Sequence, residues 1–132
     1  MIKRALLFIL LLGNYLFCQQ IPPIVNFSSN DYKGGNQTWM ITQDRNDFML
    51  FANNEGLLEF NGANWVLYPS PNETIIRSVK ALKDRVYTGA YMDFGYWERT
   101  VTNELKYTSI TKTLKLNLIE DEQFWNILSY EN

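Results

Sequence analysis

The stretch that decides the fold reads Trp39-Met40-Ile41-Thr42-Gln43-Asp44-Arg45-Asn46, then an apolar run from Phe48 to Ala52, then Asn53-Asn54-Glu55-Gly56-Leu57-Leu58-Glu59-Phe60-Asn61-Gly62, and closes on Asn64-Trp65. Four short strand-like runs are separated by three turn clusters. Trp39 and Ile41 fall on one face of the first run, Met40 and Thr42 on the other. Gln43 to Asp47 is a polar turn. The run Phe48 to Asn53 is almost continuously apolar, as in a strand covered on both faces. Asn53 to Gly56 makes the second turn, where Gly56 can take a positive φ. Leu58 and Phe60 share a face, and Asn61-Gly62 is the strongest short hairpin signal of the chain. Trp65 and Leu67 then face one way, Val66 and Tyr68 the other. Pro69 and Pro71 end the unit, because proline cannot donate to a central ladder.

A weaker copy of this plan follows from Arg77 to Tyr107. Arg77, Val79 and Ala81 align with Trp39, Ile41 and Gln43. Lys83-Asp84 turns, Val86 to Ala90 is a second strand, and Gly95-Tyr96-Trp97-Glu98 aligns with Gly56-Leu57-Leu58-Glu59. After a turn at Thr100 to Asn103, Leu105 and Tyr107 share a face. Between Lys112 and Glu122, Leu114, Leu116 and Leu118 alternate with polar residues, which predicts a short extra strand or a link. Phe124 to Tyr130 opens a third copy. Four strands per period of about 40–45 residues is the signature of a β-propeller blade. The expected fold is therefore all-β, a partial β-propeller over residues 37–132. Blade one covers 37–68, blade two 75–108, and a third begins over 123–132. A propeller closes a ring of about four to eight blades, and at least about three repeats are needed to bury the blade faces. The expectation is the N-terminal piece of a longer protein or a truncated gene product, which aggregates or is partly disordered if made alone.

Ahead of the repeats, Met1-Ile2-Lys3-Arg4 is a short basic segment and Ala5 to Phe17 an apolar one, followed by Cys18-Gln19-Gln20 and Pro22-Pro23. Residues 1–19 read as a secretory signal peptide, expected to be helical. The apolar run is shorter than the roughly 20 residues of a bilayer span, and the large Leu16-Phe17 argue against lipidation at Cys18. Residues 20–36 form a lead-in rich in Asn, Ser, Asp and Gly, read as a loop. The expected location is outside the cytoplasm, in a bacterial periplasm or at the cell surface. Three Asn-x-Ser/Thr triplets, at Asn26, Asn36 and Asn72, are short enough to arise by chance.

The 132 residues bound the chain to one modest domain, and 46% apolar with 15% aromatic residues suffices for a core. A formal charge of −2 argues against a nucleic-acid surface, which needs a basic stripe. There is no histidine, the commonest general base and metal ligand. The single cysteine lies in the leader, so no disulfide or cysteine metal site is expected. Neither a metal nor a cofactor is expected.

Two stretches carry a family resemblance. Trp39-x-Ile41-x-Gln43-Asp44 through Gly56-Leu57-x-Glu59-Phe60-Asn61-Gly62-x-x-Trp65 resembles the repeat of two-component-regulator propellers. Tyr87-Thr88-Gly89-Ala90-Tyr91-Met92-Asp93-Phe94-Gly95-Tyr96-Trp97 resembles the second blade of such sensor/regulator proteins from Bacteroidetes, especially flavobacteria. The resemblance covers about residues 30–132. It implies a periplasmic propeller followed by a triple-tyrosine module, a transmembrane helix, and a histidine kinase or a LuxR-type helix-turn-helix. None of those later parts lies in this sequence. The implied role is ligand sensing for a homodimeric signalling or transcription-regulating receptor, without catalysis in this chain. The alternatives are a propeller-scaffold enzyme, such as a polysaccharide lyase or sugar dehydrogenase, and an adhesion or scaffold propeller.

The densest aromatic cluster is Tyr87, Tyr91, Phe94, Tyr96 and Trp97. Aromatic faces suit sugar rings, and Arg77 can meet a carboxylate or sulfate. Arg77, Tyr91, Tyr96 and Trp97 are the candidate ligand-binding residues, and the partner they imply is a small molecule such as a carbohydrate. Packing between blades is the competing role of the aromatics. Asp44 to Asp47 lacks the glycine and the distant glutamate of a calcium loop, and reads as a polar turn. Glu59, Asp93 and Glu98 carry no spacing that marks an acid–base pair.

Overall fold

The computed structural model describes residues 22–130; the leader of residues 1–19 lies outside them. The described residues form two four-stranded antiparallel sheets, with two short helices and irregular links. The first contains β1 (Thr38–Gln43), β2 (Met49–Asn53), β3 (Gly56–Phe60) and β4 (Trp65–Pro69). The second contains β5 (Ser78–Leu82), β6 (Arg85–Gly89), β7 (Phe94–Arg99) and β8 (Leu105–Ser109). Each sheet is a meander in which consecutive strands pair. A short helix, α1 (Ser29–Tyr32), interrupts the lead-in read as loop, and α2 (Ile110–Thr113) follows β8. Ser28 donates to the Asp31 carboxylate through its N–H (2.6 Å) and hydroxyl (2.7 Å), which explains the single turn of α1.

The sheets pack face to face. Register places Met40, Thr42, Leu50, Ala52, Leu57 and Tyr68 on the inner face of the first. Val79, Ala81, Val86, Trp97, Leu105 and Tyr107 form that of the second. Leu50, Ala52, Leu57, Val79, Val86, Trp97 and Leu105 are buried together with Ile76 of the connection, and they form the core. Strands β1 and β5 lie side by side across this interface. The Val79 N–H meets Met40 Sδ at 3.5 Å, and the Ala81 N–H meets Thr42 Oγ1 at 3.4 Å.

These contacts revise the alignment of the two copies by one residue. Thr38 pairs with Asn53 and Met40 with Ala52, so Trp39 sits in a β-bulge. The counterpart of Val79 is Met40, not Ile41, and Arg77 is not the counterpart of Trp39. In the third strands Leu57, not Gly56, matches Gly95. In β1 the bulge absorbs one extra residue, which a residue-by-residue alignment of the copies cannot register.

A second difference concerns residues 110–130. The alternating leucines do not form a strand; α2 and an irregular link occupy this stretch, with Leu114 and Leu116 exposed. The segment from Phe124 to Tyr130 is not a strand either. An isolated bridge between Gln123 and Tyr91 lies just ahead of it, and the Phe124 N–H donates to the Ala90 carbonyl.

Electrostatics lock the interface. Arg99 of β7 reaches across to Glu59 of β3 (2.5 Å) and to Asp44 at the end of β1 (3.2 Å), and lies over the Phe48 ring at 4.5 Å. Burial works against its charge, but the hydrogen bonds and charges of Glu59 and Asp44 prevail and hold it above its ordinary value. Arg45 and Asp84 join the two hairpin turns at the surface. Asn53, fully buried, ties the lead-in to the first sheet. Its amide oxygen accepts from the N–H groups of Gly35 (2.8 Å) and Glu55 (3.1 Å), and its nitrogen donates to the carbonyls of Gly35 (2.7 Å) and Gln37 (3.0 Å).

Candidate functional site

Arg77 occupies the last position before β5, and its N–H donates to the Gly89 carbonyl at 2.8 Å. Its guanidinium lies over the Trp39 ring at 4.1 Å and over the Trp125 ring at 4.7 Å. The two indoles touch edge to face, 5.7 Å apart. Each wall has its own support. The Trp39 Nε1–H donates to Asn54 Oδ1 at 2.8 Å. Trp125 is delivered by the segment ahead of it. The Phe124 N–H donates to the Ala90 carbonyl (3.2 Å), Ser78 Oγ donates to the Phe124 carbonyl (2.7 Å), and the Phe124 ring meets Phe94 at 4.8 Å. Gly89 is obligatory here, because a Cβ on it would come within 2.5 Å of Phe124 and of Ser78 Oγ.

The Nε–H of Arg77 donates to Gln123 Oε1 at 3.1 Å. Among the described residues the two terminal nitrogens have no acceptor and no carboxylate partner. Beside them lies a shallow recess of about 260 Å³, lined by Glu73, Thr74, Ile75, Arg77, Tyr91 and Gln123. The Tyr91 hydroxyl donates to Asp121 at 2.8 Å, which raises its phenol above the ordinary value. Asn72 Nδ2 donates to the Tyr91 carbonyl at 2.9 Å, holding the far side of the recess. A guanidinium fixed by cation–π contacts, with both terminal nitrogens unengaged, is a fork for a planar or tetrahedral anion.

The four residues predicted from sequence divide three ways. Arg77 and Tyr91 share this recess. Tyr96 lies elsewhere, on the outer face of the second sheet, 6.0 Å from Tyr87 and under the Arg85 guanidinium at 4.2 Å. Trp97 is only 4% exposed. It packs between Tyr68 (5.9 Å) and Tyr107 (5.0 Å), and its Nε1–H donates to Thr88 Oγ1 at 2.9 Å. Its surface is taken up by the core, and it does not line the recess. Trp39, Gln123 and Trp125 complete the site; the sequence marks Trp39 and Trp125 as repeat positions and not as ligand contacts. No local signal could have found Gln123, which is 46 residues from Arg77.

The carboxylates considered for acid–base chemistry are separately engaged. Glu59 pairs with Arg99, and Glu98 with Arg85 at 2.8 Å. Buried Asp93 accepts from Ser109 Oγ (2.6 Å) and the Tyr107 hydroxyl (3.2 Å). Burial, then the Asp93 charge and hydrogen bond, raises the Tyr107 phenol far above its ordinary value. Asp44 closes its own turn, accepting from the N–H groups of Asn46 (2.8 Å) and Phe48 (3.0 Å). Among the described residues no group of three acidic or thiol side chains is placed to hold a metal, and no helix is long and apolar enough to cross a membrane.

No protein-family model, curated protein or solved structure matches this chain.

Proposed function

We propose that the two sheets are successive blades of a β-propeller, and that the chain contributes to the extracytoplasmic ligand-sensing region of a membrane-bound signalling or transcription-regulating receptor. The placement of the first strands supports the propeller reading. β1 and β5 lie side by side, as the innermost strands of neighbouring blades do around an axis. The observation that carries the sensing role is the Arg77 guanidinium, fixed between two indoles with its terminal nitrogens open at a recess. The ligand it suits is a small carbohydrate bearing a carboxylate or sulfate, which the fork binds while Tyr91 borders the ring. The chain itself performs no chemistry in this reading. Binding acts by favouring one arrangement of a receptor dimer over another.

The test has two arms. Calorimetric titration with glucuronate- or sulfate-bearing oligosaccharides, against neutral ones of the same linkage, is expected to show binding of the acidic set alone. Arg77→Ala is expected to weaken it at least about tenfold, because a hydrogen bond to a charged group contributes about 1.5–3 kcal/mol. Equal affinity in the variant removes Arg77 from the site. The coding sequence after the codon for Asn132 is the second arm. Further blades, a membrane span and a kinase or helix-turn-helix are expected there, and a stop codon with no coding remnant overturns the receptor reading.

A further inference from the structure

A second recess lies on the opposite side of the first sheet from the core. It has a volume of about 330 Å³, and its walls include Val25, Phe27, Tyr32, Phe51, Phe60 and Trp65. No lining residue carries a charge; besides the Trp65 indole, its polar groups are Asn26, Thr38 and the Tyr32 hydroxyl. The size falls at the lower end of small-molecule pockets, and the composition, mostly apolar with few polar groups, is theirs too.

Trp65 sets the chemistry. Phe60 stacks on its indole at 4.5 Å, Phe51 tilts against it at 5.2 Å, and Phe27 and Tyr32 approach at 5.3 and 5.5 Å. Its Nε1 is buried and has no acceptor, the one side-chain nitrogen or oxygen in that state among the described residues. Buried indole N–H groups ordinarily find a partner, and an orphan calls for an explanation. Two of the four surrounding rings, Phe27 and Tyr32, belong to the lead-in. Residues 24–27 make no hydrogen bond to the other described residues, and Phe27 is 44% exposed. Ring contacts alone hold this segment down. Phe27 meets the indole edge to face, and moving its ring breaks no hydrogen bond.

We propose that this recess binds a small neutral ligand, an apolar ring or short chain carrying one hydrogen-bond acceptor, which turns the Phe27 ring aside and gives its acceptor to Trp65 Nε1. The uncharged lining excludes an ionic ligand, whose charge would be desolvated without a partner. The orphan donor selects for an acceptor, since a ligand lacking one leaves the N–H as unsatisfied as before. The site is separate from the Arg77 recess, and it requires this face of the first sheet to stay open beside the lead-in rather than be covered by a ring-closing blade.

The probe is acetophenone, a neutral ring with one carbonyl acceptor; ethylbenzene has a similar shape and no acceptor. Both are titrated into the full 132-residue chain labelled with ¹⁵N, and the Trp65 indole signal is assigned from its loss in Trp65→Phe. Acetophenone is expected to move that signal downfield and to bind at least fivefold more tightly than ethylbenzene. Three results overturn the proposal. The signal stays in place under saturating acetophenone, as it would if water serves the N–H; the two probes bind equally; or Trp65 gives no dispersed signal, which means that the recess is not built in solution.

Discussion

Arg99→Met tests whether the two sheets are held by the ion cluster between them. Arg99 keeps 18% of its side-chain exposure, Asp44 9% and Glu59 7%, so the charges are largely out of water. The substitution removes the guanidinium, and with it the cation–π contact on Phe48, and leaves an unbranched apolar side chain in its place. Asp44 keeps the N–H groups of Asn46 and Phe48. Glu59 has no other hydrogen-bond partner among the described residues and becomes an uncompensated buried carboxylate. Breaking a buried pair in this way costs about 3–5 kcal/mol, a large fraction of a small domain's stability. Replacing both partners is much milder, since an apolar pair of similar volume is often neutral. The assay is urea denaturation of wild type, Arg99→Met, Glu59→Met and the double variant. Arg99→Met is expected to lose about 3–5 kcal/mol, and the double variant to recover more than half of that. A loss below about 1 kcal/mol in Arg99→Met, or a double variant that simply adds the single losses, refutes the reasoning.

Other outcomes follow from the same geometry. Tyr107 has its folded-state pKa raised, so its contribution is fully present below about pH 10 and is lost as pH rises beyond, with a slope of up to about 1.4 kcal/mol per unit; denaturation at pH 9 and 11 is expected to show this fall, reduced in Tyr107→Phe. Gly89→Ala places a methyl against Phe124 and is expected to release residues 122–126, seen as faster amide exchange at Phe124 with β5 to β8 still protected. Asn53→Leu removes an amide that makes bonds to both Gly35 groups, Gln37 and Glu55, and is expected to cost about 2–4 kcal/mol in urea denaturation, as several buried backbone groups lose partners at once.

The strand plan was legible because each meander is written locally. Asn61-Gly62 marks its hairpin, Leu58 and Phe60 share a face as their spacing demands, and Leu105 and Tyr107 do the same on the other sheet. The bulge at Trp39 was not legible, since two residues facing one is a matter of pairing rather than of composition. The same limit hid the site. Arg77 is conspicuous in the sequence, but its neighbours Trp39, Gln123 and Trp125 come from distant parts of the chain. Trp97 belongs to an aromatic run that looks like one surface, yet strand alternation sends it into the core and Tyr96 to the opposite face. Residues 114–130 misled through the alternating leucines, whose period fits a strand while no neighbour lies in place to pair with them.

The meander topology also sets an order of assembly. Each hairpin joins segments a few residues apart, so a sheet can form as soon as its own strands exist, at little cost in chain closure. The contacts between sheets span far more chain: 39 residues from Met40 to Val79 and 55 from Asp44 to Arg99. Such long closures slow folding. During synthesis the first sheet emerges complete, with the Trp65 side already roofed by the earlier Phe27 and Tyr32, while its inner face must wait for Val79, Val86 and Trp97. A nascent chain from which β1 to β4 have just emerged presents Leu50 and Leu57 uncovered, and that interval is when a chaperone would find its binding surface.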